Sequence, residues 1–378
     1  MLRQLFLLLA FLSFAAPSTA QPDGPARPQV VGRAWVLADV SSGQILASEK
    51  PDERFEPASL TKIMTAYVVF TALKEKKLSL DEQISVSEKA WRAPGSRMFV
   101  EPRRPVTVDE LVRGMIVQSG NDACIALAER VAGSEEAFAA LMNRQAERLG
   151  MKNSRFMNAS GLPDPQHYST ARDLYLLATA LIRDFPQQYA QYYSLREYRY
   201  NGITQMNRNR LLWLDPTVDG MKTGFTEAAG YCLVASSKRG PRRLLSVLLG
   251  STSETTRAQE SQKLLNWGFQ FFDAVRLYAG GAAVKEIEVF KGASGAVKAG
   301  FREDLVVAVP KGEGEKLKAE LLSLSPLVAP VADGARVGNL RVTLDGKPVG
   351  EFPVVALEAV PPAGFLGRAW DTLRLWFK

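Results

Sequence analysis

One segment near the amino end of the chain is apolar enough to dictate the architecture around it. Residues 60–73 carry apolar side chains at helical spacing, and their only charged side chain is Lys62. A helix that is apolar nearly all round is stable only when other elements cover every side of it. The sequence therefore predicts a buried central helix, and 378 residues are enough for two domains.

Segments on both sides of this helix can cover it. The pattern over 34–47 predicts a β-hairpin, and the apolar runs 231–236 and 244–249 predict buried strands. Further helices are predicted over 108–118, 122–132, 171–183 and 260–275. The expected fold class is therefore mixed α/β (α+β), with a domain over residues 29–275 in which helices cover one antiparallel sheet.

The composition changes after this domain. Residues 279–358 are rich in Val, Gly and Pro, and short alternating runs occur at 284–290, 305–310, 337–344 and 352–357. The dipeptide Asp345-Gly346 lies between two of these runs, and it is a strong signal for a hairpin turn. We expect a second, small all-β domain over residues 279–358.

The first 20 residues have the composition of a secretory signal peptide. Arg3 precedes an apolar run over 5–16, which is too short for a comfortable membrane span. Ser18 and Ala20 are small residues spaced as at a cleavage site. We expect export from the cytoplasm and removal of residues 1–20; an uncleaved amino-terminal anchor is the alternative.

Charge and metal-binding residues exclude several classes of protein. The net charge of +7 comes without a dense Lys/Arg tract, so we expect no nucleic-acid partner and consider an anionic membrane surface a better one. His167, Cys124 and Cys232 are too few for a zinc site built from several His or Cys ligands. We expect no metal and no other cofactor. The two cysteines either pair in an oxidising compartment or remain buried thiols.

Residues 361–378 predict an amphipathic helix after Pro361-Pro362. At about 100° per residue, the apolar and polar side chains fall in opposite arcs, with Leu375 as the misfit. The apolar arc contains Phe365, Leu366, Ala369, Trp370, Leu373, Trp376 and Phe377, and the polar arc contains Gly367, Arg368, Asp371, Arg374 and Lys378. The segment is too short and too charged to span a membrane. We expect it to lie flat on the outer face of the cytoplasmic membrane; a core helix packed on the β-domain is the alternative.

A chemically unusual pair lies at the start of the apolar helix. Ser59 and Lys62 are three residues apart, so they share one helix face, and Ser59 is the only serine in the chain with a lysine three positions on. A serine hydroxyl needs a base to act as a nucleophile, and burial can lower the pKa of a lysine enough to make it one. A helix cap beside a lysine that reaches solvent is the alternative.

A second motif, Ser119-Gly120-Asn121, lies between two predicted helices. Ser119 could pass a proton, and the Asn121 amide could hold a substrate carbonyl. Taken alone, the motif is better explained as helix punctuation in which Asn121 caps the next helix.

The third motif, Lys222-Thr223-Gly224, precedes the predicted strand pair. Lys222 and Thr223 could bind a carboxylate, and Gly224 could let a substrate backbone approach closely. Taken alone, this motif too is better explained as an ordinary turn before a strand.

Together the motifs, in the order S-x-x-K, S-x-N and K-T-G, match the set found in penicillin-binding proteins and class A β-lactamases. The chain resembles the serine-type D-Ala-D-Ala carboxypeptidases, the low-molecular-mass penicillin-binding proteins (peptidase family S11 type), over nearly its whole length. Supporting stretches lie at 56–65, 118–124, 218–224 and 264–269. The resemblance implies a β-lactamase/transpeptidase-like domain, a C-terminal β-domain and an amphipathic anchor.

The resemblance also implies catalytic roles. Ser59 would be the acylated nucleophile and Lys62 the general base for acylation. Ser119 would relay a proton, and Asn121 and Lys222 would complete the hydrogen-bond network.

Substrate binding is implied for a second set of residues. Thr223 and Arg257, the latter expected just before the predicted helix over 260–275, would hold the terminal carboxylate of the substrate beside Gly224. The backbone N–H groups of Ser59 and Phe225 would form the oxyanion hole. Phe225 stands where some relatives have histidine.

The expected activity is removal of the terminal D-Ala from peptidoglycan pentapeptides that end in D-Ala-D-Ala, with β-lactam antibiotics as covalent inhibitors. A β-lactamase, a peptidoglycan endopeptidase with the same site and a non-catalytic cell-wall-binding or shape protein are the alternatives. The chain lacks the E-x-x-L-N segment that class A β-lactamases use for deacylation. His167 could in principle act as the base for Ser59, but it lies in a turn-rich loop, where we expect a structural role.

Overall fold

The computed structural model describes residues 25–376 of the chain. The predicted signal peptide over residues 1–20 lies outside the described residues, and so do Phe377 and Lys378 of the predicted tail helix. The described residues form a mixed region up to residue 271, a β-rich region from residue 272, and a terminal helix.

The helices, in chain order, are α1 (Thr61–Lys74), α2 (Glu88–Trp91), α3 (Val108–Val117), α4 (Asn121–Ala132), α5 (Glu135–Arg148), α6 (Ala171–Asp184), α7 (Pro186–Tyr192), α8 (Leu211–Leu214), α9 (Glu254–Phe271) and α10 (Phe365–Leu375). The strands are β1 (Ala34–Asp39), β2 (Gln44–Glu49), β3 (Gln83–Ile84), β4 (Val106–Thr107), β5 (Glu197–Tyr200), β6 (Ile203–Met206), β7 (Val218–Thr226), β8 (Gly230–Arg239), β9 (Arg242–Ser251), β10 (Phe272–Tyr278), β11 (Ala283–Phe290), β12 (Ala296–Gly300), β13 (Leu305–Pro310), β14 (Leu317–Ser323), β15 (Leu327–Val328), β16 (Arg336–Leu344) and β17 (Lys347–Ala356). The predicted mixed fold class is confirmed.

The apolar helix α1 is the centre of the mixed region. Every side chain from Thr61 to Phe70 is buried, because α3, α4, α5 and α6 all contact this helix. A 3₁₀ turn over Ala58–Leu60 leads directly into α1, and the Ser59 side chain caps neither element. The prediction of a buried central helix is confirmed, and the alternative of a serine cap is not what the structure shows.

A five-stranded antiparallel sheet of order β2-β1-β9-β8-β7 closes the mixed region. The core that contains α1 and α6 lies on one face, and α9 packs on the other. Strand β7 is at the edge of the sheet, where it contacts the 3₁₀ turn over Ala58–Leu60. The layering therefore places Ser59 beside an edge strand.

One helix prediction was wrong in its bounds, and one long helix was missed. The helix predicted over 260–275 begins earlier, at Glu254, because the Ser253 side chain caps it, and it ends at Phe271. Residues 272–275 belong to strand β10, which pairs with β13. Helix α5 was not predicted, because its apolar side chains are diluted by charged ones and only a narrow stripe of it is buried.

The β-rich region has its own core. A six-stranded sheet of order β14-β16-β17-β12-β11-β15 buries a cluster of valines that includes Val297, Val337 and Val354. Asp345-Gly346 connects β16 to β17, as the hairpin signal predicted. The Gln44 side chain exchanges two hydrogen bonds with the Ala308 backbone, at 3.2 and 2.7 Å, and these bonds tie the two regions together.

Helix α10 contacts the β-rich region through its polar side. Asp371 Oδ2 accepts a 2.6 Å hydrogen bond from the Lys291 N–H, and Arg374 pairs with Glu288 at 2.8 Å. The large apolar side chains point away from the protein: Phe365, Leu366, Trp370, Leu373 and Trp376 are 54–83% exposed. The alternative in which the apolar side packs into the β-domain core is therefore not observed. Within the described part of the chain, none of the helices has the length and apolar composition that a membrane span requires.

A buried carboxylate in the first turn of α4 organises the loop over residues 94–100. Asp122 Oδ1 accepts hydrogen bonds from the N–H groups of Met98 and Ala123, both at 2.9 Å, and Oδ2 accepts from Phe99 at 2.8 Å and Val100 at 3.3 Å. Buried N–H groups need such partners, because leaving them unpaired costs free energy. Asp122 therefore fixes a loop that borders the cleft described below.

We predict that Asp122→Ala lowers the free energy of unfolding by about 2–4 kcal/mol, because it removes the acceptor for four N–H groups. Urea denaturation followed by circular dichroism measures this loss. Glu147→Ala, on the exposed side of α5, is the matched control and should change stability by less than about 0.5 kcal/mol. A similarly small effect of Asp122→Ala would contradict the assigned role.

Candidate active site

A cleft of about 460 Å³ lies between the start of α1, the loop before α4 and the edge of the sheet. All three sequence motifs contribute to it. Its lining includes Ser59, Ser119, Asn121, Thr223, Gly224 and Arg257. Lys62 and Lys222 are buried just beneath this lining, 1% and 3% exposed. The structure thus brings together motifs that are far apart in the sequence.

The turn that carries Ser59 is held in a strained conformation. Ala58 has φ +48°, in the left-handed region that a residue with a Cβ atom rarely adopts. The loop over residues 158–163 crosses this turn so closely that a Cβ atom at Gly161 would lie 1.8 Å from the Ala58 carbonyl oxygen. A Cβ atom at Gly224 would lie 3.0 Å from the Pro57 carbonyl oxygen. Because Gly224 has no side chain, strand β7 can lie directly against the turn that carries Ser59.

The Lys62 ammonium is held by three separate segments of the chain. Its Nζ atom lies 3.0 Å from Ser59 Oγ, 2.7 Å from Asn121 Oδ1 and 2.6 Å from the Ser160 carbonyl oxygen. The pKa of Lys62 is lowered to about 8, chiefly by burial, and the nearby positive charge of Arg208 acts in the same direction. The alternative, a lysine that reaches solvent, is therefore not observed, and a fraction of Lys62 is neutral near pH 7.

A neutral Lys62 fits these three contacts in one way. Its two N–H bonds can donate to Asn121 Oδ1 and to the Ser160 carbonyl, since neither oxygen can donate in return. The nitrogen lone pair then points toward Ser59 Oγ, the third contact. This arrangement lets Lys62 accept the hydroxyl proton of Ser59.

Ser119 and Asn121 reach the cleft from the turn before α4. Asn121 Nδ2 donates to the Pro94 carbonyl at 2.7 Å, which orients its Oδ1 atom toward Lys62. Gly120, and not Asn121, is the N-cap residue of α4, so the helix-cap explanation fails. Ser119 has φ +66°, and its buried hydroxyl has no hydrogen-bond partner among the described residues. The free hydroxyl lines the cleft, where a substrate group could bind it.

The third motif lies within strand β7. The explanation as a turn before a strand required it to precede a strand, so that explanation fails. Lys222 Nζ donates to the Thr223 carbonyl at 3.3 Å. Burial lowers the pKa of Lys222 well below its usual value, and the charges of Lys62 and Arg208 add to this effect. The cleft floor is also lined by Arg208 and Arg257, whose guanidinium charges favour an anionic ligand.

Arg257 reaches the same floor from the first turn of α9, on the other face of the sheet. Its guanidinium donates to the Gly224 carbonyl at 3.4 Å and pairs with Glu254 at 3.3 Å. Its side chain is only 3% exposed, yet it lines the cleft, so a carboxylate of a ligand could reach it. The expectation that Arg257 precedes the helix was wrong, because the helix starts at Glu254.

His167 and the two cysteines have no contact with Ser59 among the hydrogen bonds that the structure describes. His167 Nε2 lies 2.9 Å from Thr61 Oγ1, and burial lowers the pKa of this ring to about 4. The ring fixes the loop over 158–163 to the start of α1, as a structural role requires. Cys124 and Cys232 are free and buried, so the alternative of buried thiols is the correct one.

Sequence reasoning missed some residues of the site. Ser160 supplies a carbonyl oxygen to Lys62, and Asn158 shapes its loop by accepting the N–H groups of Ser160, Gly161 and Leu162. The signal that could have found this loop is the Asn-Ala-Ser-Gly run over 158–161, a typical Asx turn. Arg208 also lines the cleft, and sequence reasoning assigned it no role.

Two family models match the chain. The model of the D-alanyl-D-alanine carboxypeptidase family (peptidase S11) matches residues 19–253, and that of the C-terminal domain of penicillin-binding protein 5 matches residues 272–362. The chain is 44% identical to D-alanyl-D-alanine carboxypeptidase DacC of Escherichia coli, over 98% of this chain and 93% of that protein.

Solved structures agree with this assignment. Penicillin-binding protein 5 of Haemophilus influenzae is 40% identical and superposes with a TM-score of 0.84 over 89% of this chain and 100% of that one. Penicillin-binding protein D2 of Listeria monocytogenes, in its ampicillin-bound form, is 31% identical, with a TM-score of 0.59 over 64% of this chain and 99% of that one. The resemblance stated from the motifs is confirmed: the chain belongs to the family of D-alanyl-D-alanine carboxypeptidases, which are serine-type hydrolases.

Proposed function

We propose that this chain removes the terminal D-Ala from peptidoglycan pentapeptide stems through an acyl-enzyme on Ser59. The observation that carries the proposal is the 3.0 Å contact between Lys62 Nζ and Ser59 Oγ, made by a lysine that is buried and has a lowered pKa. A buried lysine beside a serine hydroxyl is the arrangement that nucleophilic catalysis needs. Family membership supplies the substrate class.

Acylation follows from the geometry of the cleft. Ser59 Oγ attacks the carbonyl carbon of the penultimate D-Ala while Lys62 takes the hydroxyl proton. The N–H groups of Ser59 and Phe225 stabilise the oxyanion, since the first lies at a helix start and the second on the edge strand β7. Ser119 carries a proton to the leaving amine, and its unpartnered hydroxyl supports this role.

Selection of a free carboxyl end is the role that we propose for the cationic floor. Thr223 and Arg257 hold the terminal carboxylate, with Lys222 beneath them. The leaving D-Ala then departs, and water releases the shortened stem from Ser59. Gly224 supports the geometry indirectly, because it lets β7 lie against the Ser59 turn.

The alternative activities use the same cleft. A β-lactamase requires rapid deacylation, and the E-x-x-L-N segment that serves this purpose in class A enzymes is missing from the sequence. Assays with two substrates, a pentapeptide that ends in D-Ala-D-Ala and penicillin, separate the candidates. Release of D-Ala supports the carboxypeptidase, binding without release supports a cell-wall-binding protein, and rapid hydrolysis of penicillin supports a β-lactamase. A cross-linked dimeric stem tests for endopeptidase activity.

We predict that penicillin forms a stable covalent adduct on Ser59, because the β-lactam amide mimics the D-Ala-D-Ala bond. Intact-protein mass spectrometry should show one added penicillin, and peptide mapping should locate it on the peptide that contains Ser59. Ser194→Ala, at an exposed position just after α7, should form the adduct normally. An equal yield of adduct with Ser59→Ala would exclude Ser59 as the nucleophile.

We further propose that residues 1–20 direct export to the periplasm and that residues 361–378 bind the outer face of the cytoplasmic membrane. The apolar side of α10 is exposed while its polar side is tied to the β-domain through Asp371 and Arg374. Aromatic side chains held outward in this way suit the interface between headgroups and acyl chains. In this proposal residues 29–275 are the catalytic domain and residues 279–358 place it at a distance from the membrane.

We predict that deletion of residues 363–378 moves the protein from the membrane fraction to the soluble fraction without loss of peptide turnover. Each exposed apolar side chain of α10 could contribute up to about 1.5–3 kcal/mol to binding if fully buried. Fractionation by ultracentrifugation, followed by the D-Ala release assay, tests both parts. A truncated protein that still sediments with membranes, or that unfolds, would show that the tail is not the anchor.

A further inference from the structure

One wall of the cleft is a loop whose two ends are joined. Arg155 and Tyr168 exchange backbone hydrogen bonds at 2.8 and 3.0 Å, and residues 160–163 between them line the cleft. We call residues 156–167 the wall loop. This loop supplies the Ser160 carbonyl oxygen that lies 2.6 Å from Lys62 Nζ. The position of that oxygen therefore depends on what holds the wall loop against helix α1.

The wall loop is held on both sides just before this carbonyl. Thr65, on α1, donates from Oγ1 to the Ala159 carbonyl at 2.6 Å, and Glu135 accepts from the Ala159 N–H at 3.1 Å. After the carbonyl comes Gly161, with φ +84°, in a region that glycine enters without steric cost. Among the hydrogen bonds that the structure describes, the next one that joins the wall loop to α1 is made by His167.

The ring of His167 is fixed in one orientation and one tautomer. The Met157 N–H donates to Nδ1 at 3.4 Å, so Nδ1 carries no proton and Nε2 does. Nε2 therefore donates to Thr61 Oγ1, 2.9 Å away. A Cβ atom at Gly161 would lie 2.9 Å from the same oxygen, so this hydrogen bond meets α1 where the loop crosses it. The ring is 3% exposed, and burial lowers its pKa to about 4, which keeps it neutral above about pH 5.

We propose that His167 is a positioning residue that keeps Lys62 buried and directed at Ser59. The proposal rests on the proposed function and deepens it, because it names a residue outside the cleft lining on which the base depends. Without the hydrogen bond to Thr61, the wall loop is free to move after Gly161. The carbonyl contact with Lys62 then weakens, and water reaches the ammonium.

The test measures the rate constant for acylation by penicillin between pH 5.5 and 10. His167→Phe removes both hydrogen bonds of the ring and keeps an aromatic side chain. The limiting rate should fall about tenfold, because the base is displaced from the hydroxyl that it serves. The pH of half-maximal rate should rise by about one unit, because water relieves the burial that lowers the pKa of Lys62. The other titratable and charged groups near Lys62 are unchanged in this variant: Cys124, Asp122, Arg208 and Lys222.

Further variants locate the effect in one hydrogen bond. Thr61→Val removes the acceptor at nearly constant side-chain size and should reproduce both changes, and in the double variant with His167→Phe the losses should not add. His167→Gln can donate to Thr61 and accept from the Met157 N–H, so it should keep the half-maximal pH and most of the rate. Gln166→Ala, at an exposed position of the same loop, is the matched control and should behave as the wild type.

Circular dichroism at the assay temperature establishes that each variant is folded. A folded His167→Phe protein with the rate and half-maximal pH of the wild type would overturn the proposal, even if its melting temperature were lower. So would a folded His167→Gln protein that loses as much as His167→Phe, since the hydrogen bonds would then not matter. If His167→Phe does not fold, Thr61→Val decides by the same criteria. Failure of the wild-type protein to be acylated and to release D-Ala would instead overturn the proposed function itself.

Discussion

The structure of the mixed region depends on the burial of one lysine. Lys62 receives a partner from each of three segments: Ser59 from its own helix start, Asn121 from the turn before α4, and Ser160 from the loop that crosses the cleft. Removing a charged ammonium from water is costly unless it finds partners or loses its proton. These segments must therefore pack tightly around α1, and the same packing brings the three motifs into one cleft.

The close packing around Lys62 needs unusual backbone conformations. Ala58 and Ser119 both adopt positive φ angles, and Gly161 and Gly224 supply the space for loop and strand to contact the Ser59 turn. Strain of this kind persists only where surrounding contacts fix it. Asp122, His167 and the Asn158 turn provide those contacts from outside the cleft. The geometry of the cleft residues and the stability of the fold therefore both depend on a small set of buried polar groups.

Much of this arrangement was predictable from the sequence, and the reasons are physical. The apolar run over 60–73 leaves α1 no alternative to burial, and Asp345-Gly346 strongly favours the observed turn. Motif order indicated Ser59, Lys62, Asn121 and Lys222, although only the fold shows that they meet. The C-terminal end of α9 was misplaced, because Phe269, Phe271 and Phe272 suit a helix and a strand equally well.

The contacts that sequence could not supply are those made by backbone atoms. A carbonyl oxygen such as that of Ser160 carries no residue signature, and its contact with Lys62 joins positions 98 residues apart. The outward orientation of the apolar side of α10 is a similar case, since it depends on the Asp371 contact with the Lys291 backbone. Periodicity predicted the two sides of that helix, but not which one the β-domain would bind.

We infer that Lys62 acts as a neutral base near pH 8, and the proposed chemistry depends on this role. The most direct test is the rate constant for acylation of Ser59 by penicillin between pH 5.5 and 10. Protonated Lys62 cannot accept a proton, so the rate should fall about tenfold per pH unit below the pKa and level off above about 8. Lys62→Arg, which stays protonated throughout, should lose both the rate and its pH dependence. A rate that is independent of pH, or that rises only above pH 10 as for an ordinary lysine, would contradict the account.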